Sequence, residues 1–131
     1  MKSVTITGSS VTDGEALAEF SVRGKLHYTP ERTVLSYEEK GDTGVVSTRV
    51  DITDGRVEVR RYGAVRCKML LIYSETLPFT YETPYGVFDM AAKCTEIESR
   101  LTENGGTLRL RYELYTNGEI VSLNGLFFNI E

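Results

Sequence analysis

The sequence predicts an all-β protein that folds as a single antiparallel meander β-barrel of about eight to ten strands, spanning residues 1–131. Apolar and polar residues alternate over most of the chain, turn dipeptides recur at short intervals, and no convincing stripe follows the helical period of about 3.6 residues. A composition of 40% apolar and 26% charged residues fits one ordinary domain. Closure into a barrel is expected because it removes exposed strand edges, which promote aggregation.

The predicted strands are separated by residues that favour turns. Four dipeptides can supply the positive φ angles of tight hairpins: Asp13-Gly14, Asp54-Gly55, Asn104-Gly105 and Asn117-Gly118. A proline-set turn is expected at residues 29–32 and a longer loop at residues 40–44.

Alternation also predicts which side chains point into the barrel, because successive residues of a strand face opposite sides. The second strand, residues 16–28, is long, and a strand over residues 87–103 is expected to carry a bulge near Thr95 or Glu96. The inward positions are Ala18, Phe20, Val22, Gly24, Leu26 and Tyr28, then Val46, Thr48, Val50 and Ile52, and later Leu108, Leu110, Tyr112 and Leu114.

The last strand, residues 120–130, is apolar on both faces. One interpretation is an ordinary strand that closes the sheet against its own loops. The alternative is a strand whose outer side is covered by a crossing segment or by a partner subunit, as in a homodimer.

Residues 74–86 are predicted to run over one end of the barrel as a fixed lid. Pro78 and Pro84 cannot donate to a β-ladder, and each biases the residue before it towards extended backbone. The aromatic side chains of this region, Tyr73, Phe79, Tyr81 and Tyr85, are suited to plugging the mouth or to contacting a ligand.

Charge and cysteine content exclude several classes of function. A net charge of −4 argues against non-specific binding to nucleic acid. The basic residues 56–68 favour a solvated face, with an anion-contacting patch as the alternative. Cys67 and Cys94 fit two reduced thiols, with one structural disulfide in an oxidising compartment as the alternative, and no metal or cofactor motif is present. Without a signal peptide or a membrane helix, the expected location is the cytoplasm.

The candidate site lies at a barrel mouth and centres on Arg61. Arg61 continues the inward phase of Val57 and Val59, so its guanidinium could grip a carboxylate or phosphate, or else pair with Glu38, Glu39 or Glu82. The tentative ligand-binding residues are Arg61, Tyr81, Thr83, Tyr85, Glu38 and Glu39. No catalytic or metal-binding residue is assigned.

Several motifs together resemble the YwiB-like bacterial proteins, a domain-of-unknown-function family with a calycin-like, that is lipocalin-like, β-barrel. They are Leu35-Ser36-Tyr37-Glu38-Glu39, Thr48-x-Val50, Val57-x-Val59-x-Arg61-x-Gly63, Tyr81-x-Thr83-Pro84-Tyr85-Gly86, Thr95-Glu96-Ile97 and Gly106-x-Leu108-x-Leu110-x-Tyr112-x-Leu114. The resemblance implies a closed or nearly closed antiparallel barrel of about eight main strands, and it implies no activity. Secreted lipocalins have a Gly-x-Trp start, which this tryptophan-free sequence lacks.

Three functional hypotheses follow. The preferred one is a non-catalytic module that binds a small, anionic or amphipathic molecule at the barrel mouth, and it requires an internal cavity. The second is an interaction or assembly protein that uses the last strand and the aromatic lid. The third is an enzyme, which requires Arg61, Glu38 or Glu39, Tyr81 and Tyr85 to converge on one cleft.

Overall fold

The computed structural model describes residues 1–42 and 44–131, and within these ranges it contains ten β-strands and no helix. The strands are β1 (Lys2–Thr12), β2 (Glu15–Tyr28), β3 (Thr33–Gly41), β4 (Gly44–Thr53), β5 (Arg56–Gly63), β6 (Arg66–Ile72), β7 (Thr76–Thr83), β8 (Gly86–Thr102), β9 (Gly105–Thr116) and β10 (Glu119–Ile130). The predicted all-β class is confirmed.

The ten strands form one closed antiparallel barrel in which each strand pairs with its neighbours in the chain. Pairing of β1 with β10, from Ile6 opposite Ile130 to Thr12 opposite Asn124, closes the sheet. Because the strands alternate in direction, the turns alternate between the two ends. The end with the β1–β2, β5–β6, β7–β8 and β9–β10 turns is called the open end here, and the opposite end, with both chain termini, the closed end.

The turn residues agree in part with the prediction. Both residues have positive φ at Asp13-Gly14 (51° and 82°) and at Asn117-Gly118 (53° and 78°), as tight hairpins of this type require. At Asp54-Gly55 only the glycine does. The predicted turn at Asn104-Gly105 is shifted by one residue, since β9 already begins at Gly105. The predicted loop at residues 40–44 includes Thr43, which lies outside the described residues.

The two long strands and the bulge are confirmed. β2 has 14 residues and β8 has 17. The pairing of β8 with β9 shifts register between Cys94 and Glu96, where the bulge was expected.

The predicted lid is wrong, because residues 76–83 form strand β7 of the barrel wall. β7 pairs with β8 along its whole length, but with β6 only through Arg66–Glu82 and Cys67–Tyr81. Pro78 is tolerated because the hydrogen-bonded ladder between β6 and β7 does not extend to this residue. The absent N–H of proline therefore removes no hydrogen bond on that side. Pro84 lies in the following turn, where the Thr83 hydroxyl accepts a hydrogen bond from Tyr85 N and donates one to Gly86 O, both at 3.1 Å.

The hydrophobic core fills the closed end of the barrel. Its members come from the inward positions of nearly every strand, and burial of this apolar surface is the main driving force for folding. The residues with no more than 2% exposure include Val4, Ile6, Leu26, Leu35, Val50, Val57, Leu71, Leu108, Leu110 and Ile130.

The outer face of the last strand is covered in part by the protein itself. The guanidinium groups of Arg109 and Arg111 lie 4.7 and 5.0 Å from the centre of the Phe127 ring, a cation–π geometry. The Nε atoms of both arginines are 3.6 Å from Glu96 Oε1. Nearer the open end, Val121 and Leu123 remain about half exposed.

We expect Gly106→Ala to destabilise the barrel strongly. Gly106 has a φ of 133°, and a Cβ at this position would overlap the Arg100 carbonyl oxygen. The expected loss in the free energy of unfolding is at least roughly 3 kcal/mol, measured by urea denaturation. Gly118→Ala is the control, because Gly118 also has positive φ but has open space around its Cα, so the expected loss is about 1 kcal/mol. Equal losses would contradict the overlap as the cause.

Candidate functional site

The open half of the barrel encloses a cavity of about 440 Å³. An eight-stranded barrel is just wide enough for side chains to fill, and ten strands enclose more space. Most of the lining is apolar, and the buried core lies beneath it. The main apolar lining residues are Phe20, Met69, Phe79, Met90, Leu114 and Leu126.

Five polar side chains form a continuous row across the cavity wall, here called the polar arc: Tyr37, Thr48, Arg61, Cys67 and Tyr81. Each is the direct cross-strand neighbour of the next, from β3 through β7. Directly opposed residues of paired strands share one face of a sheet, so register alone places the arc together.

Arg61 is the cation of the polar arc. It is half-buried, and among the described residues it forms no ion pair and no side-chain hydrogen bond. Its outward-facing neighbour Arg60 pairs with Glu58. The pairing of Arg61 with Glu38, Glu39 or Glu82, considered from the sequence, is thus not present in this part of the chain, and its guanidinium is available to a ligand.

Thr48 is the most deeply buried polar residue of the polar arc, with 3% exposure. Its Oγ1 has no hydrogen-bond partner of acceptable geometry among the described residues. A buried hydroxyl without a partner costs about 1–3 kcal/mol. Such a group is expected where a ligand or water completes the hydrogen bonds.

Burial raises the pKa of both tyrosines that face the deep part of the cavity. The pKa of Tyr37 is raised to about 12, mainly by burial and further by the charge of Glu39, and the neighbouring Thr48 hydroxyl and the Arg61 charge oppose this rise. The Thr48 hydroxyl is thus close to Tyr37, although the two do not reach the geometry of a hydrogen bond. Burial also raises the pKa of Tyr112 to about 12. Both phenols are therefore neutral hydrogen-bonding groups at pH 7. The Tyr37 ring stacks on Phe20 with 5.1 Å between ring centroids, which fixes its orientation.

Cys67 also stays neutral. Burial raises the pKa of its thiol, although the positive charge of Arg61 opposes this shift. Both Cys67 and Cys94 are free thiols, as the sequence predicts. Cys67 is therefore a neutral, weakly polar member of the polar arc rather than a nucleophile.

The structure brings together three of the six residues singled out from the sequence: Arg61, Glu39 and Tyr81 all line the cavity. The other three lie elsewhere. Glu38 faces outward, with its carboxylate 3.5 Å from the Ser47 hydroxyl. Thr83 is the last residue of β7 and does not line the cavity, and Tyr85 lies in the β7–β8 turn with 87% exposure.

Sequence reasoning did not single out Tyr37, Thr48, Cys67 and Tyr112 as site residues. Thr48 and Tyr112 were assigned to the inner face by alternation, so a signal existed. A polar atom at an inward position of a barrel strand is either satisfied by the protein or directed at the interior. Whether the protein itself supplies a hydrogen-bond partner depends on residues of the adjacent strands, and the sequence of one strand does not identify them.

Two further findings concern the described residues only. No group of three or more His, Cys, Asp and Glu side chains is arranged to hold a metal ion among them. They also include no helix long and apolar enough to cross a membrane.

The fold and the cavity define a closed antiparallel meander β-barrel with one open, partly polar mouth. Residues 4–127 match the model of the domain of unknown function DUF1934, and the chain belongs to this family. It is 25% identical over 131 residues to the uncharacterized β-barrel protein YwiB of Bacillus subtilis (strain 168), covering 98% of this chain and 92% of that protein. The crystal structure of YwiB from Bacillus subtilis superposes with a TM-score of 0.86 and 26% identity, covering 98% of this chain and 90% of the other. The resemblance inferred from the motifs is confirmed.

We expect Thr48→Val to stabilise the folded protein. The substitution replaces a buried hydroxyl without a partner by a methyl group of similar size, so the free energy of unfolding should rise by about 1 kcal/mol. Thr33→Val is the control, because Thr33 is also buried but does not line the cavity. Urea denaturation of both variants measures the effect, and a loss of stability in Thr48→Val would show that the hydroxyl is satisfied.

The buried tyrosines predict a fall in stability at alkaline pH. Tyrosine in the unfolded chain ionises near pH 10, whereas Tyr37 and Tyr112 in the folded protein have a pKa of about 12. Between about pH 10 and 12 the unfolded chain has lost protons that the folded protein still binds, so the free energy of unfolding falls as the pH rises. The full stability is present below about pH 10, and each tyrosine accounts for a loss of about 2–3 kcal/mol.

Tyr37→Phe should reduce the fall in the free energy of unfolding by about 2 kcal/mol, measured by urea denaturation near pH 9 and near pH 11.5. Tyr85→Phe, at an exposed position, controls for the removal of a phenol. A fall of unchanged size in Tyr37→Phe would contradict the assignment.

Proposed function

We propose that this protein is a non-catalytic binding module that holds a small amphipathic anion in the open half of its barrel. The observation that carries the proposal is Arg61, a guanidinium without an ion-pair partner among the described residues, in an otherwise mostly apolar cavity. Pockets for small molecules combine an apolar lining with a few polar groups that set orientation. A volume of about 440 Å³ lies within the usual range for such sites.

The two parts of the cavity have separate roles in this proposal. The apolar wall buries a hydrocarbon tail, at about 0.8 kcal/mol for each buried CH₂ group. Arg61 donates charge-assisted hydrogen bonds to the anionic head, and the Thr48 hydroxyl donates a further one. The head therefore sits in the polar arc, with the tail against Phe20, Phe79 and Met90.

The position of the remaining candidate residues supports binding over catalysis. An enzyme at this site requires Glu38 or Glu39, Tyr81 and Tyr85 beside Arg61. Glu39 and Tyr81 line the cavity with Arg61, but Tyr85 lies on an exposed turn, so the complete set does not converge. Two free thiols are consistent with the reducing cytoplasm as the location. The proposal names a small molecule as the partner, and neither nucleic acid nor a membrane. We also propose, on the basis of the resemblance, that the barrel is of the calycin-like type.

A second candidate function is assembly, including a homodimer, and one observation favours it. Several large apolar side chains are at least half exposed near the open end: Leu17, Tyr85, Val87, Phe88, Ile120, Val121 and Leu123. Native mass spectrometry of protein purified from its own host separates the two candidates. An added small-molecule mass supports the binding module, and a stoichiometric protein mass supports assembly.

The head-group role of Arg61 predicts a charge-dependent affinity. Isothermal titration calorimetry should show that the wild-type protein binds decanoate at least about tenfold more tightly than decanol, because decanol offers no charge to the guanidinium. Arg61→Gln should lose this preference while decanol binding changes little.

Arg60→Gln is the matched control, because Arg60 is the next residue on β5 and faces outward. It should keep the wild-type preference for decanoate. Failure of the wild-type protein to bind either molecule would overturn the proposed function, and a preference that survives in Arg61→Gln would overturn the role of this residue.

A further inference from the structure

A second charged side chain, Glu39, faces the same cavity. Glu39 lies two residues beyond Tyr37 on β3, so both project from the same face of the strand, and both line the cavity. Its neighbour Glu38 points to the outer surface, towards Ser47. One of two adjacent glutamates is therefore held inside the barrel by strand alternation alone.

Glu39 and Arg61 do not neutralise each other. Glu39 forms no ion pair with Arg61 or with any other cation among the described residues, so the nearest approach of their charged atoms exceeds 4.0 Å. Strand β4 lies between the strands that carry the two residues, and Glu39 pairs with Val46 of β4 whereas Arg61 pairs with Thr48. The cavity thus presents one negative and one positive group, each without a partner in this part of the chain.

Both charges act on the interior of the cavity. Burial is the main cause of the raised pKa of Tyr37; the Glu39 charge raises it further, and the nearby Thr48 hydroxyl and the Arg61 charge lower it. The Tyr37 hydroxyl therefore senses both fields. Thr48, with its buried hydroxyl lacking a partner, is the cross-strand neighbour of both Tyr37 and Arg61.

We propose that the ligand is a zwitterion, whose ammonium group binds Glu39 and whose carboxylate binds Arg61, with an apolar tail along the cavity wall. This inference rests on the proposed function, keeping its carboxylate contact with Arg61 and its apolar tail, and adds an ammonium group to the ligand. An α-amino acid with a long apolar side chain has this chemistry, because its two charges lie close together at one end of the molecule. The Thr48 hydroxyl completes the head-group contacts as a hydrogen-bond donor to the carboxylate.

The alternative is a simple amphipathic anion, which would leave Glu39 without a partner and close to the ligand's own negative charge. That arrangement costs affinity, because like charges repel strongly in an apolar cavity. A zwitterion converts the same side chain from a repulsive to an attractive contact. The inward position of Glu39 therefore discriminates between the two ligand classes.

The experiment compares two ligands that differ by one group: 2-aminodecanoate and decanoate, titrated calorimetrically into the full-length protein near pH 7. The wild-type protein should bind 2-aminodecanoate about tenfold more tightly, as one charge-assisted contact allows. Glu39→Gln should abolish that preference and tighten decanoate binding. Glu38→Gln, the adjacent residue on the outer face, should keep the wild-type preference.

A ligand-side variant keeps the test independent of protein folding. N-acetyl-2-aminodecanoate retains the carboxylate and the tail but carries no ammonium charge, and it should lose the tenfold advantage on the wild-type protein. Equal affinities for 2-aminodecanoate and decanoate, or a preference that persists in Glu39→Gln, would overturn the zwitterion while leaving the anion-binding function intact. If neither ligand binds the wild-type protein, both proposals fall.

Discussion

Closure of the sheet through the pairing of β1 with β10 is the constraint on which the rest of the structure depends. In a closed barrel every strand residue faces either the interior or the solvent, because every strand is paired on both sides and no free edge strand remains. Ten strands enclose more space than their inward side chains fill. The core therefore packs densely at one end, and the remaining space becomes a cavity at the other.

The same constraint accounts for the inward-facing polar groups of the cavity. Arg61, Thr48 and Tyr37 are inward because of their register, although a polar group inside a protein without a partner lowers stability. The mouth reduces this cost for Arg61, which is only half-buried and can remain hydrated when no ligand is bound. Thr48 is only 3% exposed, so water at the mouth does not hydrate its hydroxyl. This hydroxyl therefore lowers the stability of the free protein while offering a hydrogen bond to a ligand.

Most of the fold could be predicted from the sequence because its signals are local. Alternation, the Asp13-Gly14 and Asn117-Gly118 turns and the bulge near Glu96 each depend on a few consecutive residues. The prediction of a lid was wrong because a strand can contain Pro78 wherever its N–H is not needed for pairing. Whether it is needed depends on how far the β6–β7 ladder extends, which is a property of two strands and not of one. Strand phase correctly predicts that Arg61 faces inward. The sequence offered no basis for choosing Glu39 over Glu38, and Tyr85 was placed at the mouth only because of the predicted lid.

The separation of Glu39 from Arg61 is set by the sheet rather than by side-chain chemistry, because β4 lies between their strands and the two residues pair with different positions of β4. If the two charged groups were in contact, their charges would pair and the cavity would offer a ligand only apolar surface and neutral hydroxyls. Instead, Thr48 occupies the position opposite Arg61, and Val46 the position opposite Glu39. A rigid, hydrogen-bonded wall thus keeps two opposite charges apart within one enclosed space. Preorganisation of this kind favours a ligand that carries both complementary charges over one that carries either alone.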